Sequence, residues 1–125
     1  PVRSVRAGHN PTLVHRRASG TTERLLPKGT MVGTPNTGIF RQILVEETTQ
    51  LEPGDTFILF TDGLTEAMDA QDEEFGDERL VAVIERHAAD GPQILIERIF
   101  AELKAFRKGR PMADDASLIV LGVDG

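Results

Sequence analysis

The stretch Pro53-Gly54-Asp55-Thr56-Phe57-Ile58-Leu59-Phe60-Thr61-Asp62-Gly63-Leu64-Thr65-Glu66-Ala67 decides the fold. Pro53-Gly54-Asp55 is a turn, because proline presets one dihedral and glycine accepts conformations closed to other residues. The apolar run Phe57–Phe60 is too short for an ordinary helix and rich in strand formers, so it reads as a strand buried on both faces. It stops at Thr61-Asp62-Gly63. A carboxylate there stands at the rim of the core, where it either faces a ligand or merely opens a turn.

Outward from this strand, turn signals and apolar periods divide the chain. Pro1 to Ala7 is strand-like, Ala7-Gly8-His9-Asn10-Pro11 a turn, Thr12–Arg17 a second strand and Glu23–Leu26 a short third. Glycine and proline recur too often in residues 27–38 for a ladder to continue. Phe40–Thr49 partly alternates and is expected to form one half-exposed strand. Beyond Ala67, the acids Asp69, Asp72, Glu73 and Glu74 lack the spacing of a calcium loop and read as a solvated loop.

A helix is expected from Gly76 to about His87, with acids at its positive end. A longer one starts at Asp90-Gly91-Pro92. Its apolar stripe is Ile96, Ile99, Phe100, Leu103 and Phe106, and Gly109 with Pro111 ends it. Ser117–Val123 is a second fully apolar strand, preceded by Asp114-Asp115.

The 125 residues make one domain, and the absence of cysteine excludes disulfides, thiolate metal sites and cysteine nucleophiles. No apolar run approaches the roughly 20 residues of a membrane span, and no signal peptide is visible, so a cytoplasmic protein without membrane association is expected. The net charge of −6 is unevenly spread. Before Glu46 the only acid is Glu23, against Arg3, Arg6, Arg16, Arg17, Arg24, Lys28 and Arg41. Either opposite charges meet across the fold, or a basic face awaits an acidic or phosphorylated partner. With no tyrosine, tryptophan or basic helix, nucleic acid is not an expected partner.

Asp62 follows the end of one apolar strand, while Asp114 and Asp115 precede the start of another. If the two strands pair antiparallel, those ends lie side by side, because neighbouring strands are about 5 Å apart. Converging carboxylates form a hard oxygen-donor site suited to Mg²⁺ or Mn²⁺; the plainer alternative is a pair of strand-flanking turns. His9, His15 and His87 are weaker candidates, and no serine or threonine has a histidine at a triad spacing.

Taken in order, Ala7-Gly8-His9-Asn10-Pro11, Leu51-Glu52-Pro53-Gly54-Asp55, Thr61-Asp62-Gly63-Leu64-Thr65-Glu66-Ala67, Phe75-Gly76 and Asp114-Asp115 resemble bacterial PP2C-type serine/threonine phosphatases. The branch is that of stage II sporulation protein E and the RsbU-like regulators of anti-anti-sigma factors. The resemblance implies an α+β fold, an α-β-β-α sandwich of mostly antiparallel strands. It implies two Mn²⁺ or Mg²⁺ ions held at one end, with Asp62 and Asp114 as catalytic metal ligands, Asp115 a neighbouring metal ligand and Glu66 a supporting residue. The implied substrate is a phosphoserine or phosphothreonine protein, typically anti-anti-sigma-like, and the parent chain would carry an upstream sensor domain.

One feature of that family is not found. Its upstream Asp-x-x-Gly-His-Gly-like motif, which supplies the aspartate bridging both metals, does not precede Ala7. Residues 1–125 are therefore expected to be the C-terminal portion of a single phosphatase domain, with the N-terminal part missing and little activity alone. Sheet edges left unpaired would favour a homodimer or aggregation. The competing expectation is a catalytically silent phosphatase-like module that binds a signalling partner.

Overall fold

The computed structural model describes residues 4–6, 11–26, 42–45, 48–112 and 115–123. The described residues form seven strands and three helices: β1 (Ser4–Arg6), β2 (Thr12–Arg16), β3 (Thr21–Leu26), β4 (Gln42–Val45), β5 (Thr48–Gln50), β6 (Thr56–Phe60), α1 (Asp62–Thr65), α2 (Gly76–His87), α3 (Pro92–Arg107) and β7 (Leu118–Gly122). A 3₁₀ turn, Ala88–Asp90, joins α2 to α3.

The main sheet has the order β4-β3-β2-β6-β7, antiparallel except for β3 beside β4. β6 lies inside the sheet between β2 and β7, and its alternating side chains feed two cores. Ile58 and Phe60 join Leu13 and Val120 beneath Leu80 and Ile84 of α2 and Leu95, Ile99 and Leu103 of α3. On the other face Phe57 joins Val14, Leu51 and Val123. Strands β1 and β5 form a separate two-stranded sheet, and Leu51, which follows β5, enters this second core. The unbroken apolar run of β6 is thus the signature of a strand covered on both faces.

Arg16 fastens the two sheets together. Its Nη1 donates to Asp55 Oδ2 at 2.9 Å and to Gln50 O at 2.6 Å, Nη2 donates to Thr49 Oγ1 at 3.1 Å, and Nε donates to Glu23 Oε1 at 3.0 Å. Asp55, 2% exposed, also accepts from the backbone N–H of Arg17 and of Glu52. Arg24 pairs with Asp77 of α2 at 3.2 Å. The basic early segment therefore meets acids across the fold at Arg16 and Arg24.

The helices stop and start for local reasons. Asp77 and Glu78 lie in the first turn of α2, where the helix dipole favours negative charge. Pro92 opens α3, and Lys108 closes it in the left-handed conformation with φ 51°, its N–H bonded to Lys104 O. Between α1 and α2, Phe75 plugs the helical core, meeting Phe106 edge-on at 5.5 Å, and Arg79 lies over the same ring at 4.5 Å.

Three expectations need correction. Residues 40–49 do not form one strand: β4 and β5 belong to different sheets, with Val45 at the end of one and Thr48 at the start of the other. The apolar stripe of α3 is centred on Leu95, Ile99 and Leu103, leaving Phe100 exposed; period 3.6 was read one position off at the start. Ser117–Val123 is not buried throughout, because β7 is an edge strand. Val120 enters the core, whereas Ile119 is 52% and Leu121 42% exposed. Residues 27–38 lie outside the described residues.

Candidate active site

The register of β6 and β7 settles how the strand ends meet. The strands are antiparallel, with Phe60 opposite Leu118 and Ile58 opposite Val120. Beyond the last pair the ladder continues through side-chain and backbone bonds. Thr61 N donates to Ser117 O at 3.1 Å, Ser117 N donates to Thr61 Oγ1 at 3.0 Å, and Thr61 Oγ1 donates to Asp115 O at 3.4 Å. Phe60 N donates to Pro11 O at 3.1 Å, so the start of β2 reaches the same edge.

This placement brings the segment bearing Asp62 against the segment bearing Asp115. Asp62 opens the single turn α1, its carbonyl accepting from Glu66 N at 2.9 Å and from Thr65 Oγ1 at 3.4 Å. Its carboxylate is exposed and has no hydrogen-bond or ion-pair partner among the described residues. Asp115 and Glu66 are exposed as well. Leu64 and Ala67, immediately beyond, are buried and anchor the turn to the helical core. Asp114 and His9 lie outside the described residues. His87 is drawn into a contact with Asp90 at 3.2 Å on the exterior. The acidic loop is ordered by its own backbone: Asp69 Oδ1 accepts from Gln71 N and Glu73 N, and Arg110 bonds Asp69 O.

The donor set suits a hard divalent cation in kind, since both Asp62 and Asp115 offer carboxylate oxygen without a competing cationic side chain. It does not suffice in number. Among the described residues no group of three His, Cys, Asp or Glu side chains is arranged to hold a metal ion. Asp62 and Asp115 therefore lie on adjoining segments with exposed carboxylates, and the described residues alone do not form a metal site.

Comparison with known proteins gives the fold a context. The SiaA PP2C domain of Pseudomonas aeruginosa superposes with a TM-score of 0.65 at 21% identity, over 92% of this chain and 44% of that one. The phosphatase domain of the cell fate determinant SpoIIE from Bacillus subtilis, in a crystal form without domain swapping, gives 0.64 at 22% identity, over 94% and 48%. The manganese-presoaked structure of that domain gives 0.63 at 20%, again over 94% and 48%. No curated protein matches. The architecture is that of a PP2C-type phosphatase domain, and this chain spans a little under half the length of these three structures. The family described as Stage II sporulation protein E (SpoIIE) matches residues 2–124, and the chain belongs to it.

The expected α+β sandwich of mostly antiparallel strands is borne out. No helix among the described residues is long and apolar enough to cross a membrane. The sequence reading missed His15 and Thr56 as partners on one rung of the sheet. No local signal marks the pairing, because only the β2–β6 register brings the two residues together.

Proposed function

We propose that residues 1–125 supply the C-terminal share of a metal-dependent serine/threonine protein phosphatase domain, acting on a phosphorylated anti-anti-sigma-like protein. The observation that carries this reading is the β6–β7 register, which sets Asp62 beside the Asp115 segment in a chain of the SpoIIE family. Asp62, Asp114 and Asp115 would hold Mn²⁺ or Mg²⁺, and Asp62 and Asp114 would be the catalytic pair. A divalent cation there supplies Lewis acidity toward a phosphoryl oxygen and lowers the pKa of water. The chain's own contribution is positional. Thr61 and Ser117 lock the two acidic segments together, and buried Leu64 fixes the turn that presents Asp62.

With only part of the donor set, this chain alone would bind metal weakly and turn over little substrate. The test is Asp62→Asn in the parent protein, with a phosphopeptide as substrate. Loss of Mn²⁺-dependent hydrolysis together with weaker Mn²⁺ binding by calorimetry is the expected result. Unchanged hydrolysis would remove Asp62 from the site, and an inactive parent that still bound its partner would favour the silent module.

A further inference from the structure

At the end of the sheet remote from Asp62 lies a cavity of about 390 Å³ that the phosphatase reading does not use. Thr56 and Phe60, at opposite ends of β6, are about 13 Å apart at ~3.3 Å per residue. One rung of the sheet floors the cavity on the helix side. Thr22 stands opposite His15, His15 opposite Thr56, and Thr56 opposite Gly122. The roof is the α2–α3 junction, Ala88, Ala89, Gly91 and Pro92, and Arg17 stands on the rim. The space exists because the junction and the end of the rung carry small residues. A Cβ on Gly122 would come within 2.9 Å of Pro92 Cγ.

The polar groups here are buried but incompletely used. His15 is 7% and Thr56 3% exposed. Thr22 donates its single hydroxyl proton to Glu85 Oε2 at 3.0 Å, so it must accept from His15 Nδ1 at 3.2 Å. That network fixes the tautomer and leaves the Nε2 lone pair of the neutral ring without a partner. Neither Nε2 nor Thr56 Oγ1 has a hydrogen bond among the described residues, yet neither atom is sealed from solvent. Among the described residues the Arg17 guanidinium has no carboxylate partner; Asp55 meets only its backbone N–H. No side chain caps the first turn of α3, which abuts the cavity.

We propose that this cavity binds a small oxyanion, the phosphate or carboxylate group of a low-molecular-weight ligand. Arg17 and the positive end of α3 supply attraction, and the Thr56 hydroxyl donates a hydrogen bond. His15 is faced by Glu85 from α2, by Asp55 from the turn before β6 and by Arg17 at the rim; the junction adds no charged lining residue. The neutral ring can only accept at Nε2. A bound oxyanion therefore brings one proton, carried on Nε2 or on the ligand oxygen facing it, and the Glu85–Thr22 relay stabilises the charged ring. No bond other than that to the proton changes.

The test is calorimetric titration of the metal-free full chain with inorganic phosphate near neutral pH, in two buffers of different ionisation heat. Keeping the protein metal-free separates this site from the Asp62 edge, so the result is independent of the phosphatase reading. One saturable site with net proton uptake is expected. Arg17→Gln and Thr56→Val should each weaken it, the former by about tenfold. A parallel titration with succinate distinguishes a carboxylate ligand from a phosphorylated one, and binding of either with these effects supports the site. Saturation by neither anion, unchanged affinity in both variants, or binding without proton uptake would overturn it.

Discussion

Thr61 and Ser117 are bonded to each other in both directions, N–H to carbonyl at 3.1 Å and N–H to hydroxyl at 3.0 Å. Side-chain chemistry at Thr61 thus extends the β6–β7 ladder past its last regular pair. Thr61→Val keeps the shape but removes the acceptor for Ser117 N. It should cost about 1 kcal/mol in urea denaturation and speed amide exchange at Ser117, whereas Thr61→Ser should restore both.

The Arg16–Asp55 pair is a different case, because Asp55 is buried and accepts three hydrogen bonds. Asp55→Ala removes one of the two carboxylates that hold the Arg16 guanidinium and strands two backbone donors. A loss of about 3–5 kcal/mol is expected from the urea midpoint. Arg16→Met, which keeps the aliphatic stem, should also be destabilising, because it leaves the Asp55 carboxylate buried without its cation.

Stability should depend on the protonation of His15. Burial pushes this imidazole below its ordinary value of 6.5, against the opposing pull of Glu85 and Asp55. The unfolded chain then binds the proton more readily than the folded one. Stability is fully present above pH 6.5 and falls as pH drops from there toward the lower folded-state value. Denaturation midpoints at successive pH values check this, and His15→Asn should flatten that limb of the profile.

Much of this was legible in the residues. The apolar run Phe57–Phe60 announced a strand covered on both faces, and proline, glycine and terminal charge placed the two long helices. Once the two strands pair antiparallel, the neighbourhood of Asp62 and the Asp115 segment follows from which end of each strand carries the acid. Less accessible was the status of β7. A run such as Ser117–Val123 looks alike whether it lies at the centre or the edge of a sheet, because its covering layer comes from elsewhere in the fold. The split of residues 40–49 was hidden for a related reason: strands that change sheets carry the same β-forming residues as one continuous strand. The His15 rung was invisible because its members are 7, 34 and 66 residues apart, counting Thr22 from His15, Thr56 from Thr22 and Gly122 from Thr56.

The exposed face of β7 gives a further expectation. Ile119 and Leu121 stand opposite Leu59 and Phe57 and present an apolar strip on a strand that pairs on one side only among the described residues. Replacing both with threonine keeps a strand-compatible shape and should change stability by no more than about 0.5 kcal/mol. Concentration-dependent self-association, followed by sedimentation velocity, should fall in that variant. Unchanged association would place the contact elsewhere.

The order of chain closure has a consequence for how the acidic edge comes into being. α2 and α3 are neighbours in sequence and can pair early at small entropic cost, whereas β7 must return to β6 across the whole intervening helical hairpin. Docking of that last strand should then come late in folding. Until it happens, Asp62 stands without Asp115, so the cation site proposed for this edge would exist only in the finished fold and in no intermediate before it.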